Sequence, residues 1–499
     1  MATLSAQKIQ TPVDIVVMAA GKGTRMKSSR PKVLHRLGGR ALLGHVIDTA
    51  GRLGARNVIV VTGHGADEVE AALAGWSARR LDADVATALP AVAASGAVDI
   101  AGPGDPALTC VRQMPQLGTG HAVQQAAPAL PDDGIVVILS GDVPLIGEAT
   151  LRALIAACNG ERLALLTIEF DDPTGYGRIV RNDAGALLAI VEQKDASDAQ
   201  RALREVYSGV MAAPANRLKQ WLARLDNRNA QGEFYLTDVV RLAVADGVEV
   251  VAHRTTDALQ VTGINSPAQL AALERAWQRR QADALMAQGV RLMDPARFDL
   301  RGTLACEADV EIDINCIFEG AVTLGAGVRI GAHCVIANAR IEAGAVVHPF
   351  THIDGEQAGV TVGADARIGP FARLRPGARL GAEVHIGNFV EVKNSTLGAG
   401  AKANHLAYLG DATVGERVNF GAGSITANYD GANKHRTVIG NDVHVGSNCV
   451  LVAPLDIGAG GTVGGGSTIT KSTEPGALTV SRARQVGFAN WQRPAKLPK

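Results

Sequence analysis

Excess charge of either sign is missing, because 49 Lys and Arg residues balance 49 Asp and Glu. A surface without bulk charge gives no electrostatic reason to bind nucleic acid or an anionic membrane, so small-molecule sites are the better expectation. Aromatic residues make up only 4% of the chain, against 57 glycines, which suits tight corners and aliphatic rungs better than large interlocking side chains. The six cysteines, Cys110, Cys158, Cys306, Cys316, Cys334 and Cys449, show neither CxxC nor Cys/His ligand spacing. Reduced thiols are expected, and structural zinc is not. No apolar run reaches the about 18 residues of a membrane span. The opening MATLSAQKIQTPVD has no apolar signal core either. These absences together give the expectation of a soluble, cytoplasmic protein with no membrane partner.

The second half carries a beat. Val362, Ile368, Leu374, Leu380, Ile386 and Val392 stand six residues apart, and after a disturbed middle the beat returns at Ile439, Val445, Leu451, Ile457, Val463 and Ile469. A rougher run precedes it: Leu324, Ile330 and Ile336, then Ile341, Val347 and Ile353, with a one-residue stutter between the two triplets. Glycine follows the aliphatic residue at Gly363, Gly369, Gly381, Gly387, Gly440, Gly446, Gly458 and Gly464. Each unit therefore reads as a short strand and a corner, and stacked units form a parallel β-helix. A unit buries its rung only against its neighbours, so the array must be long.

At 499 residues with 47% hydrophobic content, the chain needs at least two cores. In the first half DIVVMAA, residues 14 to 20, runs into GKGTRM as a buried parallel strand enters a glycine-rich turn. A helix, a second strand NVIVVTGH and a third strand-then-loop IVVILSGDVPLI, residues 135 to 146, follow. This is an open α/β sheet of dinucleotide-binding type, whose ligands sit at the C-terminal strand ends, so Gly21, Gly23 and Asp142 can share a crevice. Residues 81 to 108 break the composition with Ala, Gly, Pro and Asp and read as a mobile excursion. Residues 266 to 288 are strong helix formers after capping residues, the expected linker helix. The expected domains are thus 1–265, the linker 266–288, and a solenoid with its basic, proline-containing tail over 289–499.

Glycines at 21 and 23 let backbone N–H groups approach phosphate oxygens, while Arg25 and Lys32 neutralise charge on a polyphosphate. A bland strand-turn-helix is the competing reading. Asp142, in a tight turn, suits Mg²⁺ or is a turn-capping aspartate. The residues alone leave both pairs of readings open.

The stretches AAGKGTRM, Pro31-Lys32, QLGTGHA, GDVPL, YGRI, VEQKDA and NAQGEFYLTD resemble a sugar-1-phosphate nucleotidyltransferase domain. With the hexapeptide solenoid, nearly the whole chain resembles the bacterial bifunctional N-acetylglucosamine-1-phosphate uridyltransferases and glucosamine-1-phosphate acetyltransferases. The resemblance implies a Rossmann-like α/β domain followed by a left-handed parallel β-helix, assembled as a homotrimer with acetyltransferase sites between neighbours. It implies synthesis of UDP-N-acetylglucosamine, a peptidoglycan and lipopolysaccharide precursor, from UTP, acetyl-CoA and amino-sugar phosphates with Mg²⁺. By resemblance, Met18, Ala20, Gly21, Gln113, Gln116, Gly118 and Thr119 fall on uridine-binding positions, and Arg25 and Lys32 on the phosphates. Gly177, Glu192 and Asn265 fall on the sugar, and Asp142 with Asn265 on the metal. Tyr207 stands at a sugar position where the family pattern has asparagine, Ser140 precedes GD where tyrosine is usual, and the 81 to 108 insertion exceeds the pattern.

The solenoid rhythm fails near NHLAYLGD and SITANYDGANKHRT, and loops that interrupt a regular scaffold are candidate sites. Histidine has the pKa to take a proton from an amine near neutrality, although a lone histidine is as a rule structural. The resemblance places His405 on the general base. Arg375, Lys393, Tyr408, Asn419 and Asn428 fall on sugar-phosphate positions; Tyr429, Ser447, Gly465 and Arg482 fall on acetyl-CoA, and Asn428 is counted with that set too. His333, His348, His352, His385, His435 and His444 gain no such support. Two other readings compete: a single-activity nucleotidyltransferase with a regulatory solenoid, and a non-catalytic relative. The two solenoid loops argue against the first, and the intact GKGTRM, Lys32 and Asp142 against the second.

Overall fold

The structure is a computed structural model that describes residues 11–74 and 107–494. The expected excursion at 81 to 108 lies outside the described residues except for its last two, which begin a strand, Ala107–Arg112. The chain divides into two compact units, Met1–Ala276 and Trp277–Lys499.

The first unit is built on a nine-stranded sheet. From edge to edge its main path runs Val250–Arg254, Leu163–Glu169, Glu205–Pro214, Ile135–Ser140, Val13–Met18, Asn57–Thr62 and Ala107–Arg112. Val13–Met18 pairs in parallel with both Asn57–Thr62 and Ile135–Ser140, while Glu205–Pro214 enters antiparallel. The strands are near-continuous aliphatic runs because both faces are covered. One face buries Ile15 and Val17 with Leu43, Val46 and Ile47 of the helix Leu42–Arg52 and Leu151 and Leu154 of Glu148–Cys158. The other buries Val16 and Ile138 with Val123, Leu218, Trp221 and Val240 from three further helices. The chain leaves Val13–Met18 toward one edge and resumes at Ile135–Ser140 toward the other. Their C-terminal ends, Met18 beside Ser140 in register, therefore form the switch point where α/β sheets bind ligands.

The helix Pro267–Ala287 leads into the second unit. There the buried Gln278 amide donates to Leu300 O at 2.8 Å and accepts from Leu300 N at 2.7 Å, and Ala282 and Leu285 join the solenoid core. Every rung in the six-residue ladders is buried in that one core. All strand pairs between coils are parallel, in an eleven-stranded face and a larger sheet. That larger sheet folds into two faces after its first strands, Phe298–Cys306, Cys316–Leu324 and Val335–Ile341, have run through the intervening corner. Coils lie so close that a Cβ on Gly363 would come 2.4 Å from the Gly381 carbonyl carbon.

The steps of five instead of six, Ile336 to Ile341, Val392 to Leu397 and Leu409 to Val414, turn at Asn338, Asn394 or Asp411, each left-handed as the corner residues of the six-residue steps also are. Ala403 and the buried Thr426 stand in for aliphatic rungs in the same stretch. On another corner His333, Phe350, Phe371, Phe389 and Leu406 are all left-handed, an uncommon conformation for bulky residues. Their rings stack at 4.9, 5.1 and 5.3 Å from His333 to Phe389, leaving Phe389 57% and Leu406 63% exposed.

Candidate functional site

Two groups of predicted residues gather, one in each unit. In the first unit, strand Val13–Met18 delivers Met18, the buried Ala20 and the exposed Gly21 to the sheet's C-terminal edge. Gly23 has φ 57°, and a Cβ there would lie 2.8 Å from Lys32 Cβ, so glycine is required both for the turn and for the approach of the lysine. Arg25 is exposed on the short turn Thr24–Met26. Gln116 lies against Gly63 beside Ala20. Gln113 donates to Gly118 O at 2.8 Å, and Thr119 Oγ1 accepts from Leu236 N at 3.1 Å. These bonds fold the QLGTG segment onto the same edge.

Lys32, Asp142 and Asn265 come from points far apart in sequence. The Lys32 ammonium bonds to Asp142 Oδ2 and, at 3.2 Å, to Asn265 Oδ1. Ile264 N donates to Asp142 O at 3.0 Å, and Gly141 N to Met18 O at 2.9 Å, which seats both oxygen donors at the switch point. Two oxygens converging on one cation are the donor set a hard divalent ion uses, completed by substrate and water. Among the described residues no cluster of three His, Cys, Asp or Glu offers a separate metal cage. Ser140 Oγ donates to Asp142 Oδ1 at 2.7 Å, so the serine that departs from the family pattern orients this carboxylate.

Gly177, Glu192 and Tyr207 form a second group. Tyr207 N donates to Gly177 O at 2.9 Å, and a Cβ on Gly177 would stand 3.8 Å from the Glu192 carboxylate oxygens. Glu192 accepts from Thr237 Oγ1 at 3.0 Å. Burial raises the Glu192 pKa, and the neighbouring Asp195, Asp238 and Glu233 push the same way against the Thr237 bond. Tyr207 is buried and its hydroxyl has no hydrogen-bond partner. Burial raises its pKa too, with Glu192 adding to it. The tyrosine thus buries an aromatic ring where an asparagine would place an amide.

In the solenoid, His405 ends a strand of the eleven-stranded face, Lys402–His405. Its Nδ1 lies 2.7 Å from Asn388 Oδ1 on the preceding coil. An amide oxygen only accepts, so Nδ1 is the donor in this bond and Nε2 is the ring nitrogen left for a ligand. Asn388 pairs directly with His405. The registers Ala403 to Phe420, Phe420 to Val445 and Val445 to Val463 continue that file through Ala422, Ser447 and Gly465. Arg482 Nη1 caps it with a bond to Gly465 O at 2.6 Å. Asn419 is on the same face, its Nδ2 3.3 Å from His444 Nε2.

Arg375, Lys393 and Tyr408 lie on the adjoining face, past the corner at Leu406. The register Leu374 to Val392 sets Arg375 next to Lys393. Arg375 bonds Glu391 Oε1 at 2.8 Å. Lys393 is held against Lys434, whose ammonium is the largest cause lowering the Lys393 pKa, with desolvation next and Arg375 also contributing. Gathered cations of this kind call for an anion. Asn428 is buried, and Tyr429 is 62% exposed at the start of a hairpin closed by a Tyr429 to Lys434 bridge. Sequence reading missed Asn388, Glu391, Lys434 and Thr237. The coil spacing, which stacks residues about one turn of the solenoid apart, is the signal that points to the first two. His435 pairs with Asp430 at 2.7 Å and His333 stacks on Phe350, both consistent with structural histidines.

Residues 15–209 match the MobA-like NTP transferase domain, and residues 359–394 match the bacterial transferase hexapeptide (six repeats). The bifunctional protein GlmU of Albidiferax ferrireducens is 68% identical over 488 residues, 97% of this chain and 100% of that protein. That of Paracidovorax citrulli is 69% identical over 496 residues, 98% and 99% of the two chains. A more distant relative of the same name, from an Azoarcus species, is 53% identical over 485 residues, 97% and 100%. With both halves matched end to end at this identity, the chain belongs to the family of the bifunctional protein GlmU.

Proposed function

We infer that the chain makes UDP-N-acetylglucosamine by two transfers, one in each unit, as a bifunctional uridyltransferase and acetyltransferase. The solenoid first moves an acetyl group from acetyl-CoA to glucosamine-1-phosphate. The amine nitrogen attacks the thioester carbonyl, its proton leaves to His405 Nε2, and the C–S bond breaks to release coenzyme A. The α/β unit then joins N-acetylglucosamine-1-phosphate to UMP from UTP: a phosphate oxygen of the sugar attacks the α-phosphorus and pyrophosphate departs. The observation that carries the reading is the convergence of Lys32, Asp142 and Asn265 beside the Gly21 loop at the switch point. Family membership supports both activities, which feed peptidoglycan and lipopolysaccharide precursors.

In the first unit Met18, Ala20, Gln113, Gln116, Gly118 and Thr119 bind the uridine, Arg25 and Lys32 the phosphates, and Gly177, Glu192 and Asn265 the sugar, with the Tyr207 ring packed behind it. Asp142 and Asn265 would hold Mg²⁺, which when bound neutralises charge on the transferring phosphates. Lys32 does the same from the protein, and catalysis is otherwise positioning. In the second unit Arg375, Lys393 and Tyr408, joined by Lys434, take the sugar phosphate. Acetyl-CoA lies along the file from His405 through Ser447 to Gly465, with Tyr429, Asn428 and Arg482 at its margins.

A cytoplasmic homotrimer fits this arrangement. His405 and Asn419 lie on one face while Arg375, Lys393 and Tyr408 lie on the next, so a neighbouring copy completes a site that one prism leaves open. The exposed stack from Phe350 to Phe389, beside His405, is apolar surface suited to a second copy. No described helix is long and apolar enough to cross a membrane.

A coupled assay with glucosamine-1-phosphate, acetyl-CoA, UTP and Mg²⁺, run beside one supplied with N-acetylglucosamine-1-phosphate, tests the reading. UDP-N-acetylglucosamine and pyrophosphate are expected. Uridylyl transfer without acetylation would instead support the single-activity nucleotidyltransferase, and neither activity the non-catalytic relative.

A further inference from the structure

One buried carboxylate in the solenoid has no part in the two transfers described above. Asp411 is 8% exposed and sits in the left-handed region at φ 48°, on the corner between the strands Tyr408–Gly410 and Ala412–Val414. Its two oxygens are both taken by side-chain amides from the coils on either side. Asn394 Nδ2 donates to Oδ1 at 2.5 Å, and Asn428 Nδ2 donates to Oδ2.

Asparagine serves the equivalent corner at Asn338 and Asn394, so the backbone there does not demand a carboxylate. The chemical difference is that an ionised carboxylate only accepts. Each neighbouring amide must turn its NH₂ toward Asp411, and each amide oxygen must then point away. For Asn394 the oxygen faces Gly377, where a Cβ would come within 3.1 Å of it. For Asn428 no hydrogen bond to Oδ1 is present among the described residues, and the backbone on either side is already fixed by His435 N donating to Asn428 O at 2.8 Å. Asn428 opens the hairpin that carries Tyr429 and Lys434, next to the gathered cations. Asp411 N in turn donates to Lys393 O at 3.1 Å, tying the same corner to Lys393.

We propose that Asp411 is a positioning residue of the acetyl-transfer site: it locks the Asn428 side chain with its oxygen outward, as the acceptor for an N–H of the amino sugar. An amine or ammonium at that point is a donor, so a locked acceptor favours it, whereas a flipped amide would set donor against donor. Asn428 touches the substrate and Asp411 acts through it. The inference rests on the reading that the solenoid takes an amino-sugar phosphate, and the wild-type acetylation assay checks that reading separately.

Asp411→Asn keeps the volume but offers one acceptor and one donor, so it cannot hold both neighbouring amides as they stand. In the full-length protein, calorimetric affinity for glucosamine-1-phosphate should fall about tenfold, while that for 2-deoxyglucose-1-phosphate, which lacks any donor at that carbon, should change less than twofold. Asn428→Ala should show the same selective loss, and the double variant no more than either alone. Asn394→Ala removes the other amide without touching Asn428 and should leave the selectivity intact. Equal losses for the two sugar phosphates, additive losses in the double variant, or unchanged affinity for the amino sugar would each overturn the proposal. Should Asp411→Asn fail to fold, the Asn428→Ala and Asn394→Ala pair decides it: loss confined to Asn428→Ala upholds the outward acceptor, and any other pattern removes it.

Discussion

His405 Nδ1 stands 2.7 Å from Asn388 Oδ1, one coil away. With the amide oxygen as acceptor, Nδ1 is the donor, and Nε2 is the atom proposed as the base. The bond also turns a fold property, the in-register stacking of coils, into a chemical one. An imidazole on a strand end is fixed by whatever stands at the same place one coil earlier.

A base that takes the amine proton is worth about a hundred- to ten-thousand-fold in rate. His405→Asn should therefore lower the acetyltransferase kcat at least about a hundredfold with little change in acetyl-CoA affinity. Asn388→Ala leaves the imidazole present but free to rotate and change tautomer, and should cost less, about tenfold, in the same parameter. Near-normal turnover of His405→Asn would leave binding and desolvation as the source of catalysis.

The two transfers should be separable. Lys32 and Asp142 belong to one compact unit and His405 to the other, so their effects have no shared partner. Lys32→Ala or Asp142→Ala should reduce uridylyl transfer by at least about a hundredfold, the usual cost of one charge-stabilising group, and spare acetylation. His405→Ala should do the reverse. Loss of both activities from one folded variant would contradict independent sites.

Much of this is legible in the sequence. A six-residue beat with glycine after each rung admits little besides stacked parallel coils, because only that fold buries every sixth residue, and Val362 through Val392 are all in the core. The switch-point crevice followed from DIVVMAA and IVVILSGD ending in loops that bear Gly21 and Asp142. Other features were not legible. Asp142 and Asn265 meet Lys32 from 110 and 233 residues away, and no local spacing encodes such a meeting; family resemblance alone suggested the first two belonged together. At Tyr207 the sequence shows only a departure from the family's asparagine, whereas the fold shows the ring packed and the hydroxyl unpartnered.

Glu192 gives a pH-dependent prediction. Burial, aided by three nearby carboxylates, raises its pKa in the folded protein above the unfolded value. Between those two values the native state holds a proton that the unfolded chain has released, so stability falls as pH rises through the folded pKa. The contribution is complete below the unfolded pKa and lost above the folded one. Glu192→Gln removes this titration, so the melting temperature of the first unit should fall less between mildly acidic and neutral pH than in the wild type. The same change should raise the KM for the sugar phosphate about tenfold, as expected for one hydrogen bond to a charged group. An unchanged pH slope would show that the buried carboxyl is not a source of acid-side stability.

The stacked corner of Phe350, Phe371 and Phe389 tests the proposed assembly. An isolated prism gains little from holding three bulky side chains in left-handed backbone with their rings in water, where strain of about 1 kcal/mol or more per residue is the usual expectation. A neighbouring copy that covers the stack recovers apolar area, and a central aromatic anchor is worth about 2 kcal/mol or more when truncated. Phe371→Ser and Phe389→Ser should therefore shift sedimentation from trimer toward smaller species at low micromolar concentration. In the proposed trimer a neighbour completes the faces bearing His405 and Lys393, so acetylation should fall along with assembly, while uridylyl transfer per chain should persist. A double variant that remains fully trimeric would move the interface to another face and leave the aromatic stack as a device for holding coils in register.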